Sequence, residues 1–189
     1  MRRLVLGDIH GAYLALQQVL EASQFDLEND QLIFLGDVAD GWPQTRECID
    51  TLMQIPNRVC LWGNHDQWFW EWLQTGIAEP LWLSQGGNET LDSYQITADA
   101  DPSAYIPAHH FDYFRFLKSY FISDQNECFV HAGMDPNQPI DMQPFEQLIW
   151  DRQLYMSAME WQSHQEVLCP HYAKVFIGHT PTIAKQAVP

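Results

Sequence analysis

The chain has 189 residues, with 9 Lys and Arg against 25 Asp and Glu and a formal net charge of −16. This length predicts a single domain over residues 1–189, and the apolar fraction of 46% excludes a disordered chain. The acidic excess excludes a protein that tracks a nucleic-acid backbone, because such binding needs cations that neutralise phosphates. No apolar run approaches the ~20 residues of a membrane helix, and no leader is recognisable. We therefore expect a cytoplasmic protein with reduced cysteines and with neither a nucleic-acid nor a membrane partner.

One local pattern recurs five times along the chain: a short apolar run followed by a polar segment that contains Gly, Asp, Asn or His. Runs of β-branched and aromatic residues of this length predict buried strands that are covered on both faces. The runs and the polar segments that follow them are 4–6 and 7–11, 32–35 and 36–37, 59–62 and 63–66, 128–130 and 131–133, and 175–177 and 178–180.

Segments with helical periodicity separate several of these runs. An apolar stripe after Gly11 predicts one helix, and Pro43 predicts the start of a second. Residues 66–123 hold four of the eight tryptophans and predict a mostly helical, aromatic-rich insertion over the site. The helices predicted within and after this insertion cover residues 66–75, 109–118 and 144–165.

The alternation of strand, loop and helix is typical of an α/β fold, in which ligands bind beyond the carboxyl ends of the strands. All five polar segments fall at such ends, so two Asp, three His and one Asn are expected to converge. Their convergence costs free energy without a positive partner, because like charges repel and raise carboxylate pKa values. Carboxylate oxygens together with imidazole nitrogens suit Mn, Fe or Zn. The sequence therefore predicts a pair of metal ions that share one bridging carboxylate.

The polar segments form five motifs, in an order that resembles the calcineurin-like metallophosphoesterases. They are Gly-Asp-x-His-Gly at 7–11, Gly-Asp-x-x-Asp at 36–40, Gly-Asn-His-Asp at 63–66, His-Ala-Gly at 131–133 and Gly-His-Thr-Pro at 178–181. Within this family the chain is most similar to the bacterial and phage branch of the phosphoprotein phosphatases, also through residues 82–87, Thr90, 93–94 and 150–152. The resemblance implies a four-layer α-β-β-α sandwich, with two mixed sheets face to face.

The resemblance also implies a role for each matching residue. The implied metal ligands are Asp8, His10 and Asp37 for the first ion, and Asp37, Asn64, His131 and His179 for the second. His65 would be the catalytic acid and Asp40 its orienting partner. Family members commonly carry Mn or Fe together with Mn or Zn, so we expect two divalent ions, Mn first among them. Such a pair lowers the pKa of a bridging water, and the hydroxide attacks phosphorus while His65 protonates the departing oxygen.

The chain departs from the family pattern at two phosphate-binding arginines. Where the family usually has Asp-Arg-Gly, this chain has Gly41 and Trp42 after the aspartate, and Trp62 stands where related phage enzymes carry another arginine. Arg152 is then the remaining candidate for a bidentate contact to phosphate.

A second departure is the end of the chain at Pro189, ten residues after His179. Family members continue through further strands that close the second sheet, so these C-terminal strands are expected to be missing. An open sheet edge needs a cover, and a second copy of the chain is one candidate for it.

Three smaller patterns lead to structural expectations. Trp68, Phe69 and Trp72 have helical spacing, which predicts core packing, with stacking on an aromatic leaving group as the alternative. His109 and His110 are adjacent, so on a helix they are expected not to face one site, and the pattern favours a surface or helix-start pair over a metal site. Asp66 is expected to cap the helix that follows it.

Together these patterns favour hydrolysis of phosphomonoesters, with phosphoserine, phosphothreonine or phosphotyrosine proteins as the leading substrates and small phosphoesters as a further possibility. A dinucleoside polyphosphate hydrolase is one alternative, although its bacterial members carry the arginine that is absent after the second motif. A metal-binding interaction module without turnover is another, suggested by the lost arginines. His65 and Asp40 argue against the module, because a pure binding site has no need of them.

Overall fold

The computed structural model of the chain describes residues 1–160 and 167–181. Its first sheet contains the strands β1 (Arg3–Leu6), β2 (Gln31–Phe34) and β3 (Arg58–Cys60). They lie in the order β1-β2-β3, and both pairings are parallel. Parallel neighbours need crossover connections, which the helices between these strands provide. All three carboxyl ends therefore lie at the same edge of the sheet.

The second sheet contains β4 (Tyr120–Ile122), β5 (Glu127–Val130) and β6 (Lys174–Phe176). β4 is antiparallel to β5, whereas β5 and β6 are parallel. The expectation of two mixed sheets is therefore right for this sheet and wrong for the first, which is parallel throughout its described strands. Strand β4 was missed by sequence reasoning, because it has only three residues and none of them is fully buried.

The helices surround the two sheets. They are α1 (Tyr13–Ala22), α2 (Thr45–Gln54), α3 (Asn64–Thr75), α4 (Pro80–Trp82), α5 (Asn88–Ser93), α6 (Pro102–Tyr105), α7 (Ala108–Arg115), α8 (Phe145–Trp150) and α9 (Gln153–Glu160). A kinked segment, Leu83–Gly87, joins α4 to α5 with non-helical backbone at Gln85 and Gly86, and a short 3-10 turn spans Ile140–Met142. Within the described residues, no helix is both long enough and apolar enough to cross a lipid bilayer.

Three apolar clusters define the layers of the fold. Ile33 and Leu35 of the first sheet pack with Phe129 of the second, so the two sheets lie face to face. The opposite face of the first sheet is covered by residues of α1–α3 and of the following helices. The outer face of the second sheet packs against α8 and α9 through Leu148 and Leu154. This arrangement confirms the predicted α-β-β-α sandwich.

The predicted helices near 66–75 and 109–118 are present as α3 and α7. The helix predicted over 144–165 is instead two helices, and its residues 161–165 lie outside the described part of the chain. The break occurs at Asp151, whose backbone is extended (φ −66°, ψ 134°) and whose carboxylate accepts a hydrogen bond from the backbone N–H of Gln153. An extended residue cannot continue the helical hydrogen-bond pattern, so the chain turns there, next to Arg152.

Candidate metal centre and active site

Asp37 lies at the centre of the side chains that converge beyond the strand ends. Its Oδ2 is 3.7 Å from Nε2 of His10 and 3.3 Å from Nε2 of His131. Oδ1 of Asn64 lies 3.2 Å from the same nitrogen of His131. These residues follow β1, β2, β3 and β5, so both sheets contribute to one site. A central carboxylate between two imidazoles is the position that a bridging ligand requires.

His179 and Asp8 complete the group. The backbone N–H of His179 donates to both carboxylate oxygens of Asp8, at 3.0 and 3.1 Å. The ring of His179 lies 5.1 Å from that of His131, and ligand atoms of Asp37, His131 and His179 lie within 4.8 Å of one another. Five of the six predicted metal ligands thus have side chains close to one another, and Asp8 is held beside them through the backbone of His179.

The hydrogen bonds of the histidines fit a metal centre. Nδ1 of His10 lies 3.0 Å from the carbonyl oxygen of Ala39, and Nδ1 of His131 lies 2.9 Å from that of Leu35. A carbonyl can only accept, so each Nδ1 carries a proton, and each Nε2, which faces Asp37, is the nitrogen at which a metal ion would replace a proton. Metal-binding histidines are oriented in this way by a carbonyl or carboxylate behind them. The mixed nitrogen and oxygen donors suit Mn, Fe or Zn.

The electrostatics of the site favour bound positive charge. Burial acts to raise the pKa of Asp37, but the neighbouring His131 holds it well below its usual range. Burial lowers the pKa of His131, yet Asp37 outweighs this effect and raises it to about 9. Burial, together with the positive charges of His131 and Arg152, lowers the pKa of His179 to about 4. His179 is therefore neutral near pH 7, as a ligand must be.

The backbone is strained at the same residues. Seven non-glycine residues in the described part of the chain have positive φ, and four of them belong to the site: His10 (49°), Asp37 (60°), Asp40 (72°) and His179 (63°). A positive φ is unfavourable for residues with a Cβ, and such residues concentrate at functional sites. Gly36, with φ of 107°, permits the close approach of its loop to Gly63.

Asp66 joins the second motif to the third, a role that exceeds the expected helix cap. Its Oδ2 accepts from the backbone N–H groups of Asp37 (2.7 Å) and Gly63 (3.2 Å), and its Oδ1 accepts from those of Val38 (2.8 Å) and Ala39 (3.2 Å). Burial and the nearby Asp37 raise the pKa of Asp66 to about 7. Sequence reasoning found only the cap, because the loop partners lie 27–29 positions away.

His65 and Asp40 form a hydrogen-bonded pair beside the predicted metal ligands. Nδ1 of His65 lies 2.7 Å from Oδ2 of Asp40, and Asp40 is fully buried. Asp40 also accepts from the indole N–H of Trp82 at 3.0 Å and from the hydroxyl of Thr90 at 2.7 Å. Burial lowers the pKa of His65, but Asp40 and Asp37 outweigh this effect, so the net shift is upward. Trp82 and Thr90 lie in a segment noted in the sequence, but their role as donors to Asp40 was missed.

The structure also locates the residues at which the chain departs from the family. Nε of Arg152 lies 3.1 Å from Nε2 of His179, at the exposed rim of the site. Trp62 instead packs among aromatic rings, including those of Phe114 at 6.0 Å and Phe145 at 6.2 Å. Trp42 is 62% exposed. Arg152 is thus the one described arginine or lysine with an observed contact to a predicted metal ligand.

The three aromatic residues with helical spacing separate into two groups. Phe69 and Trp72 are fully buried and pack in the core, as predicted. Trp68 is only half-buried, and its ring lies 5.1 Å from that of His65. His65 and Trp68 are three residues apart on α3, so they share one helix face, and that face borders the site.

His109 and His110 share one partner, so the expectation that they would not face one site is wrong. In the first turn of α7, their Nε2 atoms lie 2.8 and 2.9 Å from the same oxygen of Asp50. Nδ1 of His110 is also 2.7 Å from the hydroxyl of Tyr94. These separations are hydrogen-bond lengths and are shorter than the 3.3 and 3.7 Å found around Asp37. We interpret the group as a hydrogen-bonded bridge between α2 and α7.

Comparison with known proteins agrees with this site. The sequence pattern of the calcineurin-like phosphoesterases matches residues 1–184, and the chain belongs to that family. A symmetrical bis(5'-nucleosyl)-tetraphosphatase from Coxiella burnetii is 37% identical over 133 residues, which are 70% of this chain and 42% of that protein. Serine/threonine-protein phosphatase 2 from Escherichia coli is 36% identical over 88 residues, which are 47% of this chain and 39% of that protein. The matches thus span less than half the length of these curated relatives.

Among solved structures, a metallophosphoesterase from Sphaerobacter thermophilus superposes with a TM-score of 0.59 at 22% identity. The match covers 95% of this chain and 60% of that one, and it supports the fold. The family uses a dinuclear centre of divalent metals, and the donors around Asp37 fit such a centre.

Proposed function

We propose that the protein hydrolyses phosphomonoesters with two divalent metal ions, Mn first among the candidates, within a single domain. The observation that carries this proposal is the pair of His65 and buried Asp40 beside six converging metal donors. A metal-binding module would need the donors but not a histidine held by a buried carboxylate. The pair therefore favours turnover over binding alone.

The donors divide into two sets around Asp37. Asp8, His10 and Asp37 would hold one ion, and Asp37 with the remaining donors, Asn64, His131 and His179, would hold the other. Two such ions supply a water of lowered pKa and neutralise the charge of the phosphate. Asn64 contributes a neutral oxygen, which limits the negative charge near the second ion.

His65 is the proposed acid. Its Nδ1 proton donates to Asp40, so Nε2 is free to hold a proton that faces the site. When the P–O bond breaks, charge builds on the departing oxygen, and a positioned acid lowers that barrier by about 10²–10⁴-fold in rate. Asp40 is a positioning residue, because it sets the tautomer and orientation of His65 and is itself held by Trp82 and Thr90.

Arg152 is the proposed contact to phosphate. Its position at the rim supports this role, because its guanidinium lies next to His179, a proposed metal ligand. A guanidinium binds phosphate oxygens through two parallel hydrogen bonds. Phosphoproteins are the leading substrates, and small phosphoesters share the same reacting group.

Hydrolysis of dinucleoside polyphosphates is the second candidate, supported by the relative from Coxiella burnetii. Its leaving group is a nucleotide phosphate, a weak base that gains less from protonation than an alkoxide or phenoxide does. It is also polyanionic, and a chain with a net charge of −16 offers little to neutralise it. Both arguments favour the monoester.

The decisive test compares wild type with His65→Asn on phenyl phosphate in the presence of Mn²⁺, because phenoxide is basic enough to require the acid. We expect kcat to fall by about 10²–10⁴-fold in the variant. His109→Asn is the matched control, because His109 also contacts an aspartate but lies outside the site. Equal rates for wild type and His65→Asn would leave the binding module as the surviving proposal. A panel of phosphopeptides and diadenosine tetraphosphate then separates the two enzymatic candidates.

A further inference from the structure

Two tryptophans from different helices line the side of the site next to His65. Trp68 of α3 lies 5.1 Å from the ring of His65, with the two ring planes inclined by 80°. Trp150, the last residue of α8, lies 5.1 Å from Trp68 and 6.1 Å from the ring of His179. The two indoles therefore extend from the proposed acid to a proposed metal ligand, along the edge of the reacting centre.

Each indole keeps part of its surface outside the core, although Trp68 also packs against the core on its other side. Trp150 is 41% exposed and Trp68 is half-buried, whereas Phe69 and Trp72 on the same helix as Trp68 are fully buried. Exposing a large apolar ring at a site rim costs free energy unless a ligand covers it. The pair is thus an apolar surface open to solvent beside the acid.

The chemistry of the site determines which part of a substrate meets this surface. His65 must lie within hydrogen-bond reach of the departing oxygen in order to protonate it. The group attached to that oxygen therefore lies beside Trp68, on the side opposite the phosphate. We propose that Trp68 and Trp150 form the leaving-group subsite and that it takes a planar aromatic ring, so that the preferred substrates are aryl and arylmethyl phosphomonoesters, phosphotyrosine included.

The reaction balances with water alone. The bond between phosphorus and the ring-bearing oxygen breaks, and a water oxygen bonds to phosphorus. One water proton ends on the departing oxygen by way of His65, and the products are the alcohol or phenol and inorganic phosphate. An aromatic ring gains from contact with two indoles in edge-to-face or offset geometry, beyond the area it buries, whereas a short alkyl group does not.

The proposal rests on the proposed phosphomonoesterase activity, so its test separates recognition of the ring from turnover. We compare benzyl phosphate with n-propyl phosphate, whose leaving alcohols have similar basicity, in the presence of Mn²⁺. Wild type is expected to have a kcat/KM about tenfold higher for the benzyl ester. Trp68→Leu and Trp150→Leu are expected to remove most of this ratio, chiefly through KM, and Trp150→Phe to retain part of it. Phe116→Leu, a change at an aromatic residue that is 81% exposed and directly follows α7, is the matched control and should leave the ratio as it is.

A binding measurement covers the case in which turnover fails. Benzylphosphonate and n-propylphosphonate cannot be hydrolysed, and calorimetry on the Mn²⁺-loaded protein should give about tenfold tighter binding of the benzyl compound. Trp150→Leu should abolish the difference. If neither ester is hydrolysed but benzylphosphonate still binds more tightly than n-propylphosphonate, the proposed function is wrong and the subsite is retained.

The subsite itself fails under two results. One is a wild-type ratio near one in both assays, and the other is an equal loss on both esters in the tryptophan variants. Peptides of one sequence that carry either phosphotyrosine or phosphoserine test the ring preference within a protein substrate, and phenyl phosphate represents a small phenol. A preference for phosphotyrosine peptide over phenyl phosphate supports the protein source.

Discussion

Thr90 offers a sharp test of how the buried Asp40 is held. Its hydroxyl donates to Oδ1 of Asp40 at 2.7 Å and accepts from the backbone N–H of Asp40 at 2.8 Å, and both residues are fully buried. Thr90→Val keeps the shape of the side chain and removes both hydrogen bonds. The perturbation is therefore polar rather than steric.

The size of the effect follows from these two bonds. A backbone N–H left unsatisfied in the interior costs about 1–3 kcal/mol, and a lost hydrogen bond to a carboxylate costs about 1.5–3 kcal/mol. The variant should therefore lose about 2.5–6 kcal/mol of unfolding free energy. For a chain of this length, this corresponds to a fall in Tm of about 5–24 °C.

Urea unfolding of Thr90→Val and Thr97→Val provides a matched comparison. Thr97 also donates its hydroxyl to an aspartate, Asp99 at 2.6 Å, but this pair is exposed. An exposed pair of this kind is worth less than about 0.5 kcal/mol. If Thr90→Val cost no more than Thr97→Val, the conclusion that buried donors hold Asp40 would be wrong.

Three further predictions concern the centre itself. Asp40→Asn removes a carboxylate that raises the pKa of His65, so the pKa of His65 should fall in the variant. Because the acid works only while protonated, the basic limb of kcat/KM plotted against pH should move to lower pH. An unchanged limb would refute the positioning role. Asp37→Asn should lower the bound metal from two ions toward none, measured by elemental analysis of dialysed protein, and an unchanged content would refute the bridging role. A chelator should lower the Tm of the Mn²⁺-loaded protein, since metal present at 100 times its Kd stabilises a fold by about 2.7 kcal/mol per site. Equal Tm values with and without chelator would argue against a metal centre formed by the folded state.

The convergence of the six predicted ligands could be inferred from local sequence. Each of the five apolar runs contributes to a strand, and each polar segment follows the carboxyl end of its run. The runs 32–35 and 128–130 are buried throughout, whereas the other three are only partly buried. Parallel strands in one sheet place their carboxyl ends at one edge, so order along the chain was sufficient to bring Asp8, Asp37 and Asn64 together. His131 and His179 follow strands of the second sheet, and their meeting with the first set agrees with the family resemblance.

The supports behind the acid required the tertiary structure. Asp40 accepts hydrogen bonds from Trp82 and Thr90, which are 42 and 50 positions further along the chain. A kinked segment between these two donors, which periodicity does not reveal, brings both to Asp40. The break between α8 and α9, which turns the chain beside Arg152, was equally invisible in a segment that has helical composition throughout.

Trp68 and His110 show the same division between local pattern and three-dimensional contact. Helical spacing predicted core packing for Trp68, which does pack against the core but also borders the site. It also predicted that His109 and His110 would not face one site, and the structure contradicts this. Spacing determines which residues share a helix face, but only the elements packed against that face decide whether it meets core, solvent or a site. The strand ends, and with them the metal donors, are therefore encoded locally. The hydrogen bonds that position His65 and the indoles beside it come from chain segments brought together by folding.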